Sequence, residues 1–184
     1  MDDTAIIELY WARDERAVEE TDRKYGPYYR TVSWNILKNR QDVEECVNDT
    51  YVRAWNAIPP QRPVSLRAFG AQIIRNLSLS RYRAAHAQRR GGGQTAAVLE
   101  ELADCVTDGP EAWLEASELS RQIDRFLRRL PQKEACLFLR RYWFMESLGE
   151  IAHRYRLPVG SVKSSLFRTR KKLKEYLEKE GVPV

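Results

Sequence analysis

Apolar positions along this chain recur at helical spacing, and no stretch alternates apolar and polar residues long enough to argue for a sheet. Thr4 is placed to cap a short helix through Trp11, and Asp14 to cap a second that ends near Tyr25-Gly26-Pro27. Tyr28, Tyr29, Val32, Ile36 and Leu37 mark a third helix. Val43, Val47, Tyr51, Ala54 and Trp55 mark a fourth, from about Arg40 to Asn56. Pro59-Pro60 and Pro63 then forbid helix and impose a stiff, extended loop. Ser65 restarts a long helix through about Arg83, with Phe69, Ile73, Ile74 and Leu77 on its apolar stripe.

Gly91-Gly92-Gly93 is the clearest break, and Asp108-Gly109-Pro110 is a second. They bound a flexible linker over residues 87–112, with a short helical piece around Ala96–Ala103. Beyond it the pattern predicts a helix from about Glu111 to Leu130, ended by Pro131, and another over Gln132–Tyr142. The expected fold is all-α: two small helical domains, 1–86 and 113–184, joined by that acidic linker.

Ser147-Leu148-Gly149-Glu150 reads as a capping box that opens a helix with Leu148, Ile151, Ala152 and Tyr155 inward. Arg156-Leu157-Pro158 stops it. The next helix turns Val162, Leu166, Leu173 and Leu177 inward and Ser161, Lys163, Ser164, Phe167, Arg168, Lys171 and Lys172 outward. This is the outline of a helix-turn-helix, whose second helix reads base edges in the major groove. Arg and Lys suit guanine O6 and N7, Ser suits bases or phosphate, and Phe167 suits a thymine methyl. Spacing alone leaves open a basic amphipathic helix packing on its own domain.

Charge strengthens the nucleic-acid reading. The 184 residues are 43% hydrophobic and 31% charged, with net charge +5, but the charge is blocked. Residues 1–61 carry net −4, residues 62–90 net +7, residues 91–119 net −7 and residues 120–184 net +9. Two separated basic blocks suggest two contacts with a polyanion. Three dispersed cysteines (Cys46, Cys105, Cys136) argue against a disulfide framework and for a reducing cytoplasm. With only His86 and His153 as histidines, a classical zinc site lacks ligands; no metal and no other cofactor is expected. The acidic opening Met1-Asp2-Asp3-Thr4 is unlike a secretory signal, and no apolar run approaches the roughly 18 residues of a membrane helix, so no membrane insertion is expected.

Four segments, in order, resemble the extracytoplasmic-function group of bacterial sigma-70 factors. Asp42 through Trp55 resembles that family's polymerase-binding helix. Phe69 through Arg83, centred on Arg75-Asn76-Leu77, resembles the helix that melts and reads the minus-ten element. Leu130-Pro131 resembles the opening of the second domain's core, and Glu150-Ile151-Ala152 with Val162 through Leu173 the minus-thirty-five reader. The chain departs from the family's habit at Asn48, where glutamine is common, at Phe69-Gly70, where tryptophan-leucine is usual, and at Ser161, where threonine is common.

The resemblance implies a sigma factor without bond chemistry of its own. Its partners would be core RNA polymerase, through the clamp of the largest subunit and the flap of the second-largest, and promoter DNA. Asp42, Glu45, Asn48, Asp49, Arg53 and Trp55 would meet polymerase, with Val43, Val47 and Tyr51 in the core and Cys46 a buried small hydrophobe. Arg62, Arg67, Arg75, Asn76, Ser80, Arg81 and Arg83 would hold the minus-ten strand, with Asn76 the first choice for a base edge. Phe69 and Tyr82 are open to core or stacking roles. The seven outward residues of the last helix would read the minus-thirty-five element. The acidic linker would thread the polymerase near the nascent RNA, or serve as a solvated tether. The family is often held inactive by a membrane-anchored anti-sigma partner; no residue here identifies one. The competing readings are a self-sufficient helix-turn-helix regulator, which needs a ligand or dimer site in residues 1–86, and an enzyme, for which neither histidine has a partnered nucleophile or carboxylate motif.

Overall fold

A computed structural model describes residues 1–86, 93–103 and 118–181. Every regular element among them is helical. The chain divides into two compact units, Met1–Arg90 and Gly91–Val184.

The first unit holds α1 (Asp3–Trp11), α2 (Arg16–Leu37), α3 (Arg40–Ala57) and α4 (Leu66–His86). Asp2, not Thr4, caps α1: its carboxylate accepts from the Ala5 amide at 2.8 Å. Asn39 caps α3 in the same way, through the Asp42 amide. The two helices expected on either side of Gly26-Pro27 are one continuous α2. A proline inside a helix costs about 3 kcal/mol or more. Here Ala17, Thr21, Tyr29, Val32 and Ile36 bury a stripe on both sides of it, and that packing holds the helix together.

Helices α2, α3 and α4 pack on one another, and α1 closes one end. Ile6, Ile7 and Tyr10 of α1 join Ala17, Ala54, Ile58 and Leu66 in a core, with Trp55, Phe69 and Ile73 packed against it. Tyr29 is fully buried and donates its hydroxyl to the Leu66 carbonyl at 2.9 Å. A Cβ at Gly70 would lie 2.2 Å from that hydroxyl oxygen. The absence of a Cβ at Gly70 is thus what lets α4 approach the Tyr29 ring.

The second unit holds α5 (Gln94–Ala103), α6 (Glu118–Arg129), α7 (Gln132–Phe138), α8 (Leu148–Tyr155) and α9 (Val159–Lys179). The helix expected over Gln132–Tyr142 changes character: after α7 the backbone widens into a π-helical turn, Leu139–Trp143. This turn brings Arg141 and Tyr142 into the interior. The chain then bends at the buried Met145, whose φ is 55°. The Ser147–Glu150 capping box is present in both directions. Arg156, at φ 52°, ends α8, and Pro158 precedes α9.

Part of the expected linker is not a tether. Residues 94–103 form α5, and Thr95, Val98 and Leu102 on its inner stripe are buried in the second unit. Those three residues at three- and four-residue spacing give an otherwise acidic segment one apolar face. The expected linker residues 87–92 and 104–112, with Cys105, lie outside the described residues, as do residues 111–117 of the helix expected from Glu111.

Candidate nucleic-acid and partner interfaces

The polymerase candidates all lie on α3. Asn48, Asp49 and Arg53 are exposed, while Val43, Val47, Tyr51 and Cys46 are buried, and burial pushes the Cys46 thiol pKa up. Asn48 and Trp55 line a groove of 350 Å³ with Val18, Tyr51 and the exposed Val52. Trp55 is also fixed from behind: its ring packs on the core, Arg13 lies over it at 5.4 Å, and the Arg13 guanidinium donates to its carbonyl at 2.6 Å. Asp42 and Glu45 are half-buried and already engaged. Arg81 of α4 pairs with Asp42 at 2.7 Å and with Glu45, and the guanidinium holds the Glu45 carboxyl below its ordinary range. Two residues assigned by sequence to polymerase and one assigned to DNA thus form a single α3–α4 clasp.

The minus-ten candidates separate by face. Asn76, Ser80 and Arg83 share the outward side of α4 with Gln72; Ser80 and Gln72 are exposed, and Asn76 and Arg83 half-buried. The Oδ1 of Asn76 is buried without a hydrogen-bond partner. Arg67 is exposed at the start of α4, 4.4 Å over the Tyr28 ring. Arg62 of the proline loop lies 5.4 Å over the exposed Trp11 ring and pairs with Glu8. Arg75 departs from expectation: it is 0% exposed and offers no surface for a phosphate. Desolvation, with the charge of Arg83 adding to it, pulls its pKa down to about 9. Phe69 is half-buried and packs against the core, and Tyr82 is buried.

On α9, Ser161, Lys163, Ser164, Phe167, Arg168, Lys171 and Lys172 are all exposed, as their spacing predicts, and Phe167 is 61% exposed. Lys163, Ser164, Phe167 and Arg168 line a shallow concavity with Arg170. Lys172 is anchored to Glu134 of α7 at 2.9 Å. Elsewhere in the second unit an apolar cavity of 320 Å³ opens between Ile123, Asp124 and Leu127 of α6 and Phe138, Leu139, Trp143 and Phe144.

The model of Sigma-70 region 2 matches residues 22–88, and that of Sigma-70, region 4 matches residues 120–173. The ECF RNA polymerase sigma factor SigW of Bacillus subtilis (strain 168) is 27% identical over 163 residues, covering 85% of this chain and 83% of SigW. The chain belongs to the extracytoplasmic-function group of the sigma-70 family. A solved structure of CnrH in complex with the cytosolic domain of CnrY is 23% identical, covers 96% of this chain and 97% of that one, and has a TM-score of 0.44.

Region 2 thus spans most of α2 with α3 and α4, and region 4 spans α6 through the first two-thirds of α9. Several features of this sigma factor escaped sequence reasoning. Val18 and Val52 complete the groove beside Asn48; Val52, four residues after Asn48 on the same helix face, was the available signal. The apolar cavity beside α6 draws on α6, the end of α7 and the π-helical turn, so no single periodicity announces it. Glu101, in the segment expected to be an acidic linker, is instead bound to Arg141, Tyr142 and Arg170.

Proposed function

We propose that this sigma factor assembles with core RNA polymerase and selects promoters by gripping two separated stretches of DNA, one with each unit. The observation that carries this is the pair of outward faces on separate units: Gln72, Asn76, Ser80 and Arg83 on α4, and Ser161 through Lys172 on α9.

The groove around Val52 and Trp55, edged by Asn48, Asp49 and Arg53, takes the clamp of the largest subunit. Its apolar floor supplies burial, and its charged edge fixes orientation and on-rate. The open apolar cavity beside α6 takes the flap of the second-largest subunit. The N-terminal half of α9 enters the major groove of the minus-thirty-five element, where Lys163 and Arg168 meet base edges or phosphates and Phe167 meets a thymine methyl.

On the minus-ten side, Asn76 and Ser80 face one separated strand, with Arg62, Arg67 and Arg83 as its phosphate contacts. Turning a base out of the stack costs a few kcal/mol, recovered by edge contacts and stacking. Melting follows because the face binds a single strand better than a duplex, and a ligand can shift an equilibrium only by such a difference. Bond formation is the core enzyme's work, and the site of action is the cytoplasm.

Reconstitution tests this. Core polymerase with the full chain selects from a duplex library randomised over two blocks, and two blocks are enriched. Arg168→Ala relaxes the upstream block at a cost of about 1–3 kcal/mol if it makes a bidentate base contact. Asn76→Ala relaxes the downstream block. Both variants keep their affinity for core polymerase. Enrichment of one palindromic block without polymerase contradicts the reading.

A further inference from the structure

Among the described residues of the second unit, the least exposed ionic cluster joins α5 to α9. Arg141 is nearly buried, with a side chain 5% exposed, and its Nη2 and Nε donate to the two oxygens of Glu101 at 2.6 and 3.3 Å. The same carboxylate accepts from the Tyr142 hydroxyl at 2.9 Å and from Arg170 at 3.4 Å. Arg170 also donates to the Tyr142 hydroxyl at 2.5 Å. Arg141 is tied to the chain entering α8 as well, through the Glu146 carbonyl at 3.1 Å. Gln94, at the start of α5, donates to the Met145 carbonyl.

Arg170 carries this network to the concavity on α9. It lines the same hollow as Lys163, Ser164, Phe167 and Arg168, and its guanidinium lies 6.0 Å from the Phe167 ring. An arginine side chain left to itself samples many rotamers, and ordering it on binding costs free energy. Here the ordering is done beforehand by Glu101 and Tyr142. Burial opposes ionisation of Glu101, yet Arg141, Tyr142 and Arg170 outweigh it and keep the carboxyl below its ordinary value.

We propose that Glu101 is a positioning residue of the upstream-element reader: by holding Arg170 it sets the surface on which Phe167 and Arg168 meet DNA, so that α5, in the acidic segment between the two matched regions, belongs to the DNA-reading unit. This rests on the sigma-factor reading above. It also explains why an acidic segment packs against the most basic part of the chain. One of its carboxylates is needed there, while Glu100 next to it stays exposed.

The test uses full chain assembled with core polymerase. The probes are a duplex carrying the upstream block enriched by wild type and the same duplex with that block scrambled. The readout is the ratio of the two affinities. Glu101→Ala lowers that ratio about tenfold, within the coupling range of contacting residues. Glu101→Gln, which keeps an acceptor for Arg141 and Tyr142, lowers it less. Glu101→Ala adds nothing in an Arg170→Ala background. A purely structural role for Glu101 would lower thermal stability and both affinities together, leaving the ratio unmoved. A wild-type ratio in Glu101→Ala and Glu101→Gln, or additive effects of Glu101→Ala and Arg170→Ala, overturns the proposal. Should Glu101→Ala fail to fold, Glu101→Gln and its double variant with Arg170→Ala carry the same comparison. A ratio of one in wild type itself overturns the sigma-factor reading instead, so the two failures are distinct.

Discussion

At the scale of single residues, α4 carries arginines that look alike in sequence and behave differently in space. Arg75 is enclosed, Arg81 is clasped by Asp42 and Glu45, and Arg67 lies exposed over Tyr28. Replacing Arg75 by alanine therefore acts on the stability of the first unit, read by chemical denaturation, where lost packing opposes the release of a desolvated charge, and it leaves the salt dependence of strand binding at its wild-type slope. Arg67→Ala leaves stability near wild type and reduces the salt dependence of strand binding by about 0.7 in log–log slope, the loss of one phosphate contact on a single strand. The reverse pattern contradicts the assignment.

Glu101 makes a pH prediction at the same scale. Its folded pKa lies below the ordinary value of 4.5, so its contribution is complete above that value and is lost as pH falls through the folded pKa. The melting temperature of the second unit falls on acidification, and Glu101→Gln flattens that acid limb while leaving the neutral-pH limb parallel to wild type. An unchanged acid limb in the variant contradicts the network's electrostatic role.

At the scale of elements, stripes that bury one face were legible and features created by packing were not. The apolar spacing of Val162, Leu166, Leu173 and Leu177 placed α9 and put its seven candidates outward, and Ser147 with Glu150 placed the start of α8. Gly26-Pro27 carries the strongest local break signal in the first unit, yet α2 runs through it because its stripe is buried on both sides. The burial of Arg75 follows from α4 packing on both α2 and α3, which a one-sided helical wheel does not show. The π-helical turn and the docking of α5 depend on Arg141, Tyr142 and Glu101 meeting across about 40 residues of sequence, beyond any local pattern.

Gly70 tests the α2–α4 contact. A Cβ there overlaps the buried Tyr29 ring, so Gly70→Ala destabilises the first unit by about 1–3 kcal/mol despite alanine's better helix propensity. Tyr29→Leu removes both the hydroxyl and the ring carbon Cζ that the Cβ would strike and relieves part of that loss when combined with Gly70→Ala. Independent, additive effects measured by a double-mutant cycle would contradict the packing account.

At the scale of the whole molecule, the alternation of charge along the chain maps onto different kinds of surface. The described arginines of the first basic block, Arg62, Arg67, Arg75, Arg81 and Arg83, lie on the proline loop and α4, and the second block supplies the outer face of α9. The acidic first block supplies part of the α3 face, and the acidic segment between the basic blocks contributes α5 to the second unit. The two-unit, all-helical plan was legible because each unit has its own periodic stripes. The point at which one unit gives way to the next was not, since α5 hides three core residues in a stretch with the composition of a tether. The division of labour proposed for the units makes each necessary and neither sufficient for choosing a promoter.

The most direct measurement of that claim maps transcript 5′ ends made by core RNA polymerase on fragmented bacterial DNA, with and without the full chain. The account predicts a new set of discrete start sites that appears only with the chain, each preceded by the same two sequence blocks at fixed separation. An unchanged set of start sites in the presence of the chain, although it binds DNA by itself, would contradict it.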